Sequence, residues 1–377
     1  MILAAKYKKR FLEDMVKHFP KDIEARIYDI DICRRIGKTE RHNRLYKHDF
    51  FDEWFVSKFP NLTGWIEMCE FRPDIIYTDH ITYVGWYIFL LKRFKGINPF
   101  IKDSKSFDPK LVYHIRGHWF KEYFANVLVT PSKYLLSLPL MLPLTLFGFK
   151  QCDALVPICD WLDQDLVAKM YPLKKSFTSR QGIDTSKFYK DEKNVFEQFK
   201  HPCVGILQSM EIIDKVRGLL RFIKVIKSMP HVHFYVCGGG CHQDKVIKQL
   251  RACENVTFKG SMNYPDDVRK FYNSVDVFVL PSGLDCCPTT ILEAGLCEVP
   301  VCASRVGGIP ELIKDRKTGF LIDNDYEWES KIQLLIDDKL FAKKVGKLAR
   351  EHVKKNFDWR VLAPNLAEFL KGLITND

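Results

Sequence analysis

Residues 275–321 read VDVFVLPSGLDCCPTTILEAGLCEVPVCASRVGGIPELIKDRKTGFL. The apolar run Val277 to Leu280, broken by Pro281-Ser282-Gly283, predicts a buried strand. Asp285 follows in a tight loop, and Thr289 or Thr290 starts a short helix carrying Glu293. Cys297-Glu298-Val299-Pro300 closes that helix, and Val299 to Ala303 predicts a second strand running into Gly307-Gly308. Two acids eight positions apart thus flank a helix N-terminus. Cys286, Cys287, Pro288 and Thr289 form its start, where backbone amides and the helix dipole welcome an anion and the carboxylates suit hydroxyls. Taken singly, Asp285 also reads as a capping acid and Glu293 as a surface helix residue.

Strands and helices alternate on both sides of this stretch, the pattern of a parallel α/β sheet. Upstream, Tyr7 to Phe19 predicts an amphipathic helix, while Ala25 to Ile32, Asp74 to Thr78 and Leu111 to Ile115 predict strands. Leu62 to Phe71 and Val84 to Phe94 predict helices, 34–60 shows no period, and 152–159 predicts a further strand. The run LLSLPLMLPLTLFGF, 135–149, is interrupted by Pro139 and Pro143 and is expected as a kinked, buried helix, with a membrane-contacting segment as the alternative. A charged stretch, 187–201, separates this half from a second alternation. There Cys203 to Leu207, His233 to Val236 and Val256 to Lys259 read as strands, and Arg217 to Met229, Asp244 to Cys253 and Asp266 to Asn273 as helices.

The chain of 377 residues is long for one core and predicts two domains. Hydrophobic content of 46% with 28% charged residues describes a globular chain, neither disordered nor fibrous. A formal charge of +11 favours an anionic partner, but no basic stripe interleaved with aromatics supports nucleic acid. The 12 cysteines include no Cys-x-x-Cys pair, and the chain opens on no secretory signal, so reduced thiols and a cytoplasmic location are expected.

The ordered run Pro281-Ser282, Leu292-Glu293-Ala294, Pro300-Val301, Gly307-Gly308-Ile309-Pro310-Glu311 and Thr318-Gly319-Phe320-Leu321 resembles the C-terminal signature of the family-4 retaining glycosyltransferases. That signature is an acid, seven residues and a Glu; Asp285 stands where Glu is usual. Weaker matches are Arg72-Pro73-Asp74, Asp153-Ala154 and Gly182-Ile183-Asp184 before Phe188. The resemblance implies the GT-B fold, α/β with two Rossmann-like domains facing a cleft. Residues 1–190 would form the acceptor-binding domain, 200–356 the nucleotide-sugar-binding domain, and 357–377 a helix packing back toward the first. It further implies that Asp285 contacts the donor sugar and Glu293 the ribose, and that no metal is needed. Gly205, Gly239 and Met262 are assigned with them to the nucleotide-binding set.

The family also places cations on the donor diphosphate. Here Ile206 replaces the usual Arg after Val204-Gly205, and the Lys-Gly step is met by Arg217-Gly218, with Lys215 as competitor. At the donor sugar the family often has a His; His118 is preferred to His114, which lies within a strand, and Arg116 sits between them. Asp79-His80 is expected to face the cleft, and Lys6 to Arg10 stand in place of the family's Gly-Gly turn. Gly238-Gly239-Gly240 is expected to let the backbone approach the nucleotide. A zinc reading of His231, His233, Cys237, Cys241 and His242 lacks standard spacing, and Asp29-x-Asp31 and Asp323-x-Asp325 only superficially match a metal-binding acid pair. The expected function is hexosyl transfer, from GDP-mannose first and UDP-glucose second, to a hydroxyl of a glycan, lipid or small acceptor. A nucleotide-sugar epimerase or a phosphorylase is the alternative. Peripheral membrane contact is compatible with the sequence, and so is a homodimer.

Overall fold

The computed structural model describes residues 2–5, 9–28, 72–79, 108–118 and 138–375, with positions 89 and 121 besides. The expected helix at 62–71 and the aperiodic segment 34–60 lie outside the described residues, as does 84–94 apart from helical Phe89. Twelve described strands form two six-stranded sheets, every recorded pairing parallel. The first has the order β2-β1-β3-β4-β5-β6. Its strands are Ile2–Ala5 (β1), Ala25–Tyr28 (β2), Ile75–Thr78 (β3), Lys110–Ile115 (β4), Ala154–Pro157 (β5) and Lys175–Ser176 (β6). The short apolar start of the chain is therefore a strand between β2 and β3, with Ile2 paired to both Ala25 and Ile75.

The second sheet has the order β12-β11-β10-β7-β8-β9. Its strands are Cys203–Leu207 (β7), His233–Cys237 (β8), Val256–Gly260 (β9), Val277–Leu280 (β10), Val301–Ser304 (β11) and Phe320–Ile322 (β12). Successive β7 residues face opposite sides, as strand geometry demands. Cys203 joins the cluster containing Phe271 and Phe278, whereas Val204 and Ile206 join the one containing Phe222 and Trp328.

Three details differ from expectation. The helix foreseen from Arg217 begins earlier, spanning Ile213–Ser228, because buried Ile213 and Val216 already supply its first apolar turn. The helix Leu138–Gln151 does contain Pro143, and over 142–151 it is only half-buried: Phe149 is in the core while Pro143 and Leu146 are exposed. The charged segment 187–201 is anchored by its aromatics. Phe188 and Phe199 are buried, and Phe199 stacks on Tyr235 with ring centroids 3.6 Å apart.

The last helix, Trp359–Thr375, follows the second sheet in sequence yet packs on the first. Trp359, Ala363, Leu366, Leu370 and Leu373 share one apolar cluster with Ile75, Tyr77, Val112 and Val156. The crossing point is Gly182-Ile183. Ile183 N–H donates to Phe357 O at 2.8 Å, and a Cβ on Gly182 would lie 2.4 Å from the Trp359 ring. Only glycine admits the indole there. Asp358 seals the crossing by accepting from Thr185 Oγ1 at 2.5 Å and from Arg360 Nη2 at 2.6 Å. Trp359→Ala is expected to cost about 3–5 kcal/mol. The loss should show as early unfolding of the first sheet, read by amide hydrogen exchange at Ile75–Thr78 along a denaturant series.

Candidate active site

From β7 the chain proceeds outward to β8 and β9, then returns to lay β10, β11 and β12 on the other side. The carboxyl ends of β7 and β10 are thus a topological switch point, where open α/β sheets leave a crevice for ligands. The two loops leaving it are pressed together by glycines. A Cβ on Gly218 would lie 2.0 Å from Pro281 O, and one on Gly283 would lie 2.3 Å from Asp214 O. Gly283 N–H instead donates to Asp214 O at 3.1 Å.

That approach delivers Lys215 to Asp285. The ammonium Nζ sits 2.7 Å from Asp285 Oδ2, with the lysine side chain 20% and the carboxylate 9% exposed. Of the two competing cations, Lys215 is therefore the one at the site; Arg217 turns outward, nearly half exposed, and pairs with Asp214 at 2.7 Å. Ile206 is wholly buried in the core, so the side chain at that position does not reach the crevice.

Below the pair, the helix Thr289–Leu296 begins at Pro288, whose ψ of 117° is extended, and no side chain caps it. Its first turn follows buried Cys286 and Cys287, and an uncapped helix start of this kind suits an anion. Gly307 and Gly308 fix the Asp285 backbone. Gly307 takes φ +55°, a Cβ on it would lie 2.1 Å from Asp285 O, and Gly308 N–H donates to that oxygen at 3.0 Å. One turn into the helix, buried Glu293 accepts from the Tyr272 hydroxyl at 3.1 Å. Burial, then the Glu293 charge, push that hydroxyl well above the usual tyrosine value, so Tyr272 remains a donor.

In the first domain, His118 is buried with Nδ1 accepting from Lys121 N–H at 3.3 Å and Nε2 3.2 Å from Asp165 Oδ2. The arrangement assigns the ring proton to Nε2. Burial and then the Lys121 ammonium hold its pKa below the ordinary 6.5 against the pull of Asp165, so the ring is neutral near pH 7. His114 is a core residue 2.6 Å from the Tyr77 hydroxyl, and burial drives its pKa well below 6.5. Asp79 pairs with Arg116 at 3.7 Å; His80 and the side chains of Lys6 to Arg10 lie outside the described residues.

Gly205 lies inside β7, where a Cβ would meet the Phe271 ring at 2.7 Å, so its smallness serves packing. Gly238 and Gly240 admit the backbone of Gln208 and of Met210-Glu211: Cβ atoms there would come within 1.9 Å and 2.4 Å of it. Gly239 faces the Ser261 hydroxyl, and Met262 packs on the core. His231 bonds Gln333 and His233 bonds Thr257, which disperses the supposed zinc set. Asp323 follows β12 and pairs with Arg305, and Asp325 lies 3.6 Å from Arg221.

One residue quoted in the sequence signature acquires a place that sequence reasoning missed. Glu311 accepts from the backbone N–H of Asp160 at 2.9 Å and of Trp161 at 2.8 Å, and Arg180 Nε lies 3.5 Å away. An acid of the second domain thereby caps a helix start of the first. The 307–311 loop that carries it also holds Asp285, and the Trp161 ring it secures lies 5.6 Å from His118. The Gly-Gly-Ile-Pro-Glu run was the visible signal; its target 150 residues away was not.

Glu311→Ala is expected to weaken domain docking by about 1–3 kcal/mol. Small-angle scattering should show a larger radius of gyration, with Glu311→Gln intermediate. A pH effect follows from His114 and His118. Because their folded pKa values lie below the unfolded 6.5, the stability they confer is present above that pH and is lost as pH falls through the folded values. The urea midpoint should therefore decline on acidification from about pH 7, less steeply in His114→Gln.

Residues 193–352 match the family model of glycosyl transferases group 1. A stretch of 162 residues is 32% identical to the sulfoquinovosyl transferase SQD2 of Arabidopsis thaliana, covering 42% of this chain and 29% of that protein. A stretch of 212 residues is 28% identical to the GDP-mannose-dependent alpha-(1-6)-phosphatidylinositol monomannoside mannosyltransferase of Mycobacterium tuberculosis, covering 51% and 54%. The chain thus spans about half or less of the length of these curated relatives. Among solved structures, Anabaena HepE in complex with UDP and glucose superposes with a TM-score of 0.71 at 15% identity over 98% of this chain and 99% of that one. Sucrose-phosphate synthase from Thermosynechococcus elongatus gives 0.70 at 15% over 100% and 99%. Residues 193–352 are thus similar to the glycosyl transferases group 1 family, and the chain has the two-domain GT-B fold.

Proposed function

We propose that the chain transfers a hexose from a nucleoside diphosphate sugar to a hydroxyl group with retention of configuration. The observation that carries this reading is the Lys215–Asp285 pair at the switch point, beside an uncapped helix start and above Glu293. In the transition state negative charge grows on the departing diphosphate. Lys215 and the backbone N–H groups of Cys286, Cys287, Thr289 and Thr290 are the groups set to receive it, without a metal. Asp285, already held by Lys215, accepts hydrogen bonds from sugar hydroxyls. Glu293 exchanges its Tyr272 partner for, or shares it with, the ribose hydroxyls. Neutral His118 would turn its Nε2 proton from Asp165 to the donor sugar, acting from the first domain, which would hold the glycan, lipid or small-molecule acceptor.

GDP-mannose is the first donor to test, since the Mycobacterium tuberculosis relative is named for it. UDP-glucose is the second; HepE has been solved with it. Calorimetry with both donors should give binding that Glu293→Ala weakens at least about 100-fold, as expected for loss of two charge-assisted hydrogen bonds. Lys215→Met should lower kcat by about 10²–10³. Undiminished transfer in Glu293→Ala would overturn the assignment.

A further inference from the structure

At the opposite end of the second sheet, three side chains unused by that chemistry converge. His201 ends the segment joining the domains, Cys203 opens β7, and Asp276 immediately precedes β10. His201 Nδ1 lies 2.7 Å from Asp276 Oδ2 and 3.6 Å from Cys203 Sγ. One atom from each of the three residues can be chosen so that all lie within 4.8 Å of one another. Cys203 is wholly buried, Asp276 is partly exposed, and the His201 side chain is 54% exposed. One wall of the site is therefore protein and the other open.

We propose that His201, Cys203 and Asp276 form a binding site for a borderline-soft divalent cation of the zinc class. Thiolate, imidazole and carboxylate together are a donor set that such ions prefer to the hard cations calcium and magnesium. Zinc bonds of about 2.3 Å to sulfur and 2.1 Å to nitrogen, opened at a tetrahedral angle, place those atoms about 3.6 Å apart. That is the separation of Cys203 Sγ and His201 Nδ1. The same geometry sets nitrogen and oxygen about 3.4 Å apart, so the 2.7 Å contact must widen by roughly 0.7 Å, by a turn of the exposed imidazole. Coordination replaces the Cys203 thiol proton and the proton shared by His201 and Asp276, and both leave to solvent.

His201 and Asp276 also line a pocket of about 530 Å³, into which a fourth coordination position opens. Glu192 and Glu298 line it too, and offset two of its three lysines, Lys190, Lys339 and Lys343. The ion would tie the inter-domain segment to β7 and to the entry of β10. It lies beyond the amino ends of the strands, whereas Lys215 and Asp285 lie beyond the carboxyl ends. Its test is thus independent of the proposed transfer reaction.

The full chain, stripped of metal with a chelator, is titrated with Co²⁺ and back-titrated with Zn²⁺. The expected result is a sulfur-to-cobalt charge-transfer band with tetrahedral d–d bands, saturating at one ion per chain and bleached by Zn²⁺. The charge-transfer band should vanish in Cys203→Ser. Affinity should fall more than tenfold in His201→Ala and Asp276→Asn, both at partly exposed positions and folded by circular dichroism. Cys241→Ser, at an exposed thiol, should change nothing. Absence of the band, or a band that survives Cys203→Ser or keeps its affinity in His201→Ala, would overturn the proposal.

Discussion

The contact on which the candidate site depends is the approach of the helix start at 213–218 to the loop leaving β10. Gly218 and Gly283 each stand where a Cβ would overlap a carbonyl of the facing segment, so backbone meets backbone with nothing between. Lys215 can then reach Asp285 without extending into solvent, and the pair sits mostly out of water. Partial burial strengthens the attraction but makes each partner dependent on the other, because an unpaired charge at that depth is costly. A polyanionic ligand would relieve this dependence by giving the ammonium a second partner.

Above this pair the two domains are joined by three separate means. Glu311 caps a helix of the first domain from the second. Ile158, Cys159 and Leu162 of the first domain belong to the same apolar cluster as Cys286, Cys287 and Ile309 of the second. The chain itself crosses back at Gly182-Ile183 and deposits its last helix on the first sheet. The 307–311 loop takes part in both the junction and the support of Asp285. Domain closure and the position of that carboxylate are therefore linked through one short segment, a physical route by which closure can complete a site.

Much of the architecture was legible because parallel α/β units announce themselves locally. Val277–Leu280 is an apolar run of strand length cut off by Pro and Gly, and Thr289–Leu296 follows at the expected distance. Asp285 and Glu293 could be singled out because their spacing and the Gly-Gly turn are sequence features. The choice between Lys215 and Arg217 was not legible in the same way. It turned on where the helix began, and buried Ile213 moved that start four residues earlier than charge and periodicity suggested. Gly238 and Gly240 also pack against the 208–211 loop, a contact their sequence did not announce: glycine reports that something approaches closely, not what it is.

The amino-acid sequence by itself determined the elements, their alternation into two parallel sheets, and the pair of acids around a helix start. These depend on period, turn residues and spacing, all encoded within a few tens of residues. The tertiary structure alone decided which cation meets Asp285 and what Glu311 holds. It alone brought His201, Cys203 and Asp276 together. Each of those depends on residues far apart in the chain meeting at distances of a few ångströms, and such meetings follow from sheet order and packing, which no local pattern states.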